Sequence, residues 1–149
     1  MDKRRLLELA GVKDDKNKNE SFVTNIDKDT VENDNFRKVI HTTERTQLVL
    51  MSLKPGENIG KEIHDDGDQF TRVEEGEGKI ILNGKEQSFG KDDAVVIAAG
   101  TEHDIINTSD EKPLKLYVVY SPPRHEDGLV EKNKPKTEKE AWHLAKNDI

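Results

Sequence analysis

The sequence predicts an all-β protein, a single antiparallel barrel or jelly roll, on three observations. Between residues 35 and 122 the chain breaks into short apolar runs, at 36–40, 46–53, 69–73, 79–89, 94–99, 103–108 and 114–121. Turn residues separate them: Pro55-Gly56, Asp66-Gly67, Gly76 with Gly78, Asn83-Gly84 and Ala99-Gly100. No helical pattern falls between the runs, so the strands must pair with one another as hairpins and meanders rather than as parallel crossovers.

The elements follow in order. Leu6, Leu7 and Ala10 share a helical face that ends at Gly11, a natural C-cap, and residues 13–20 read as a solvated linker. Residues 1–33 are thus an N-terminal helix and polar linker, and residues 34–123 the β-barrel domain. Inside the 79–89 run, Asn83-Gly84 marks a two-residue hairpin, because both centre positions of a type I′ turn need positive φ. Pro122-Pro123 ends the last strand, and residues 124–149 form a polar tail with a C-terminal helix. There Thr137 and Glu140 have capping-box spacing, and Trp142, Leu144 and Ala145 give a small apolar face. Such a helix is too short to stand alone in water.

Composition excludes several classes. The 149 residues suit one domain; they are 32% hydrophobic and 37% charged, with net charge −7 and no cysteine. An acidic chain lacks the basic face of a nucleic-acid binder. Nothing approaches the roughly 18 apolar residues of a membrane span, and the Leu6-Leu7 stretch is too short for a signal peptide. No disulfide or thiolate ligand is possible. The cytoplasm is the default compartment.

Four donors carry the chemistry. Glu62 and His64, two apart in a run read as a strand, leave the backbone on one face. Gln69 opens the next strand after the turn at residues 65–68, and His103 opens a later one after residues 99–101. Closing the barrel would bring all four toward one interior point. Such donors suit one divalent ion among Mn, Fe, Co, Ni and Zn. The plainer alternative makes Gln69 a core hydrogen-bonding residue and turns Glu62 to solvent beside Lys61. Burying a carboxylate and two imidazoles without a cation is costly, which favours the metal.

Other features weigh less. The acids at 65–68 lack the spacing of an EF-hand loop and read as a solvated turn. Residues 75–79 lack the strand-to-helix context of a phosphate loop. His125 reads as a surface histidine more readily than as a proton donor over the barrel mouth. Arg72 and Glu74 read as an outer-face ion pair or dimer contact. Met51, Tyr117 and Tyr120 read as barrel wall.

The two donor stretches resemble the paired motifs of the cupin superfamily. The first runs Gly, five residues, His-x-His, three or four residues, Glu, six residues, Gly; here Gly56, Glu62, His64, Gln69 and Gly76 hold those places. The second runs Gly, five residues, Pro-x-Gly, two residues, His, three residues, Asn; here these are Asp92, Ala98, Gly100, His103 and Asn107. Two departures fall on the ligands themselves, since Glu62 replaces a histidine and Gln69 the glutamate. The resemblance to small, single-domain type 2 cupins implies a double-stranded β-helix and a metal at Glu62, His64, Gln69 and His103. It also implies a homodimer through an outer sheet face and a small-molecule substrate, with neither nucleic acid nor membrane as partner. The reaction it suggests is metal-dependent isomerisation or elimination of a sugar-like or hydroxy/keto metabolite. An Fe- or Mn-dependent dioxygenase and a non-catalytic binding or sensing cupin are the alternatives.

Overall fold

A computed structural model describes residues 19–136. The expected helices around Leu6 and after Thr137 lie outside those residues. Within them the elements are α1 (Ile26–Glu32), β1 (Arg37–Thr42), β2 (Gln47–Leu53), β3 (Asp68–Glu75), β4 (Gly78–Leu82), β5 (Lys85–Ser88), β6 (Ala94–Ile97), β7 (His103–Asn107), β8 (Leu114–Ser121) and β9 (Val130–Glu131). Two antiparallel sheets face each other, ordered β6-β3-β8-β2-β1-β9 and β5-β4-β7.

Every apolar run expected to be a strand contributes one, and the 79–89 run splits into the predicted hairpin. Asn83 and Gly84 both have positive φ, 47° and 83°, as a type I′ turn demands. Gly76, which closes the first motif, has φ 109°, and a Cβ there would lie 2.6 Å from the Pro113 carbonyl oxygen. Only glycine fits that corner.

Alternation along the strands builds the interior. Val49, Met51 and Leu53 of β2, Val73 of β3, and Leu114, Leu116 and Val118 of β8 are wholly buried, and they pack with Ile80, Phe89 and Ile105. Fully burying one such aliphatic side chain contributes about 1.5–3 kcal/mol. β2 departs from strict alternation because Leu50, on its outer face, is also buried. The short helix α1 packs against β2, β3 and β8 on the outside of this sheet.

Two elements were hidden in polar sequence. α1 lies within the stretch read as linker; Asn25 caps it by accepting from Lys28 N, and Asp27 and Asp29 occupy its first turn. β9 lies in the polar tail and adds an edge strand to β1 through Arg37–Glu131 and Lys38–Val130 pairing.

Candidate metal centre

The two motifs meet as neighbouring strand-like segments, though the first is no regular strand. Glu62 pairs with His103 in an isolated antiparallel bridge, each backbone N–H donating to the other's carbonyl at 2.9 Å. A directly opposed pair projects its side chains to one face. The lacing continues on both sides: Ile59 N donates to Ile105 O, Asn107 N to Glu57 O, and Gly100 N to His64 O. Strand parity anticipated that Glu62 and His64 share a face, but the pairing with β7 is what fixes them there. Asp104 steadies the bend, accepting from Gly60 N and Asn58 Nδ2, each at 2.9 Å. Asn107, the last motif position, is structural: its amide donates to Leu53 O and Lys112 O.

Glu62, His64 and His103 each offer a donor atom, all within 4.8 Å of one another. His64 Nε2 lies 2.9 Å from Glu62 Oε2, and the two imidazole centroids are 5.2 Å apart. Ligands held about 2.1 Å from one ion stand about 3–4 Å apart, close to the spacing of this set. His103 Nδ1 lies 2.9 Å from the Thr101 carbonyl. That oxygen can only accept, so Nδ1 donates to it and Nε2 is the nitrogen turned to the interior. There Nε2 is buried without a partner. Gln69 lies on β3 beside Tyr120 of β8; its Nε2 donates to Thr71 Oγ1 while its Oε1 is buried and unpartnered. Such orphaned acceptors are rare in folded proteins, and each is of a kind that a cation takes.

Electrostatics agree with that donor set. Burial acts to raise the Glu62 pKa, but the hydrogen bond from His64 and the charges of His64, Arg37 and His103 outweigh it and hold the carboxyl below its ordinary value. Tyr120 borders His64 edge-on, with ring centroids 6.3 Å apart. Burial, helped by the charge of Glu62, pushes its phenol up to about 12, so it keeps its proton at neutral pH.

The sequence placed His125 on the surface, and the structure corrects this. Its ring packs edge-on against Tyr120 with centroids 5.2 Å apart, and its Nε2 is buried without a partner. Burial and the charge of Arg37 lower its pKa to about 3. Gln47, 78 residues away in sequence, fixes its backbone by accepting from His125 N and donating to His125 O. Gln47, a further polar residue of this end of the barrel, and Arg37, on β1 opposite Met51, carried no sequence signal beyond breaking the apolar pattern. The mouth itself is narrow. A crevice of about 10 Å³ remains between His64, residues 66–68, Tyr120, Pro122 and Arg124, room for about one water.

A wider depression, about 550 Å³, lies elsewhere, between α1 and the outer face of β3, lined by Asp27, Val31, Arg72, Glu74, Glu75, Lys91 and Asp92. Arg72 pairs there with Glu74 and Asp92, at 2.9 and 3.2 Å, the first being the expected outer-face ion pair. None of the buried unpartnered atoms lines it. Unmet bonding capacity locates the chemistry better than volume does. Of the barrel-wall candidates, Met51 and Tyr120 are buried, whereas Tyr117 lies on the outer face beside Phe70.

The cupin domain family matches residues 49–120, which contain both motifs. The uncharacterised protein L612 of Acanthamoeba polyphaga mimivirus is 43% identical over 125 residues, covering 81% of this chain and 78% of that one. The uncharacterised protein YrkC of Bacillus subtilis is 44% identical over 120 residues, covering 76% of this chain but only 63% of YrkC. The crystal structure of BH2720 from Bacillus halodurans superposes with a TM-score of 0.75 at 41% identity, covering 77% of this chain and 91% of that one. With the two motifs laced across the opening of a two-sheet antiparallel barrel, the chain belongs to the cupin superfamily.

Proposed function

We propose that the protein is a metal-dependent enzyme that binds one divalent ion through Glu62, His64, Gln69 and His103. Its substrate is a small hydroxy- or keto-metabolite, and its reaction is of the isomerase or lyase type. The observation that carries this reading is the pair of buried, unpartnered acceptors, His103 Nε2, 3.9 Å from Glu62 Oε2, and Gln69 Oε1 on β3. A divalent ion, when bound, supplies Lewis-acid polarisation of a carbonyl or hydroxyl oxygen and lowers the pKa of water. The chain's own residues do the rest. The Thr101 carbonyl sets the His103 tautomer. Glu62 is held ionised, and its single charge leaves about one positive charge to act on the substrate oxygen. Tyr120, Pro122 and Arg124 narrow the crevice and limit water.

Two imidazoles and a carboxylate also suit open-site Fe(II), which supports a second reading as an oxygenase. Incubation of metal-loaded protein with aldoses, ketoses and uronates, with and without oxygen, separates the two. Turnover in the absence of oxygen is expected, and turnover that requires oxygen removes the isomerase or lyase reading.

The same reading includes a homodimer. Leu48, Val119, Phe70 and Val96 form one row across four strands on the outer face of the larger sheet, and Val96 is 72% exposed. Among the described residues, no helix is long and apolar enough to cross a membrane.

A further inference from the structure

Glu62 faces the site because the first motif carries one residue more than a regular ladder takes up. Asn58 stands opposite Ile106, and Glu62 opposite His103. Between those two pairs the motif run advances four residues, 58 to 62, while β7 moves back three, 106 to 103. The hydrogen bonds agree. Ile59 N donates to Ile105 O and Asn107 N to Glu57 O in the first register, and Glu62 and His103 exchange bonds in the second. One extra residue on one side of an antiparallel pair is a β-bulge. Without it, the register of Asn58 would run on to set Lys61 opposite His103. A slip of one residue turns every side chain to the other face, so Glu62 and His64 would leave the interior and Lys61 would enter it.

Asp104 holds the extra residue in place. Gly60 has φ 114°, in the left-handed region, and a Cβ there would meet nothing within 4 Å, so backbone conformation rather than space calls for glycine. Its N–H donates to Asp104 Oδ1 at 2.9 Å, a side-chain bond where a regular strand would use the ladder. Asp104 Oδ2 accepts from Asn58 Nδ2, also at 2.9 Å, and Lys134 Nζ donates to Asn58 Oδ1, which fixes the way that amide points. One carboxylate thus clasps both sides of the bulge, with bonds stronger than neutral ones. Asp104 is only 8% exposed, and as the strand neighbour of His103 it projects to the opposite face from the donor set.

We propose that Asp104 is a positioning residue of the metal centre: it holds the bulge at Gly60, and the bulge selects Glu62 over Lys61 as the residue that faces His103. The consequence for metal binding rests on the metal-dependent reading above; the choice of register does not.

The test reads the register directly, on the full chain without metal, by the scalar coupling that passes through a hydrogen bond from Glu62 N to the His103 carbonyl carbon. The native chain should show it. Asp104→Leu removes both acceptors, and should lose that coupling or move it to Lys61 N. Its affinity for Co²⁺ should fall at least about tenfold, the order that losing a ligand's outer support costs. Gly60→Val leaves Asp104 in place and should act the same way, because a β-branched residue resists positive φ. Removing the extra residue is the rescue. With Gly60 deleted in the Asp104→Leu background, the register of Asn58 runs straight to Glu62, so the coupling and Co²⁺ binding should return together. A native coupling from Lys61 instead of Glu62, a native coupling kept in Asp104→Leu, or a deletion that fails to restore it would overturn the proposal. If Asp104→Leu does not fold, Gly60→Val decides, and an intact coupling there overturns it equally. A register that responds as expected in a chain that takes up none of the candidate ions would remove the metal reading and keep the bulge. Full Co²⁺ binding by Asp104→Leu with the coupling unchanged would do the reverse.

Discussion

Gln47 shows how one side chain organises the mouth of the barrel. It is wholly buried; its amide donates to Thr42 Oγ1 and His125 O, and its carbonyl accepts from Arg124 N and His125 N. Gln47→Leu keeps the volume but strands two backbone N–H groups, so it should cost about 2–3 kcal/mol. Urea unfolding should show that as a lower midpoint at unchanged slope; an unchanged midpoint would mean that water replaces the amide. The same residues mark the limit of what the sequence discloses about the site. Glu62, His64, Gln69 and His103 were legible because their fixed spacings lie within two short motifs. Arg37, Gln47 and His125 were not, since their contacts join positions 78 to 94 residues apart and depend on which face each strand turns inward. His125 was misjudged for a related reason: a polar segment after the last strand looks solvated until it folds back over the mouth.

Among the elements, α1 is joined to β3 by a carboxyl pair, buried Glu74 and exposed Asp27. Glu74 is 6% exposed. Its pKa is raised by burial first, then by a hydrogen bond with Asp27 of α1, against the lowering charge of Arg72. A raised folded value contributes stability that is complete below the unfolded pKa and is lost as pH rises through the folded one. Docking of α1 should therefore be tighter in mild acid and loosen toward neutrality, read by hydrogen exchange of the α1 amides. Glu74→Gln should flatten that dependence and protect α1 at neutral pH; an unaltered profile would contradict the pairing. α1 escaped the sequence because its polar composition gives no apolar period, and its fixed points are a cap at Asn25 and one buried side chain, Thr30. β9 escaped because two residues are too few for alternation to register. The hairpin at Asn83-Gly84 was fully legible, since turn chemistry there is local and tertiary contacts have little to add.

For the whole molecule, the apolar row Leu48–Val119–Phe70–Val96 is expected to be an interface between two copies. Val96→Lys should place a charge at its exposed end and yield a folded monomer by light scattering and circular dichroism, with a lower unfolding midpoint because the partner's stabilisation is lost. A native chain that is already monomeric would end the dimer reading. The fold as a whole was legible because seven runs and their turns permit few antiparallel arrangements. What the barrel does depends on its cation. The most direct measurement is elemental analysis of the purified native chain and of a Glu62→Ala/His103→Ala variant, with folding checked by circular dichroism. Close to one divalent ion per native chain is expected, with a folded variant that has lost it. Equal metal content in the two, or none in the native chain after exposure to each of the five candidate ions, would contradict it.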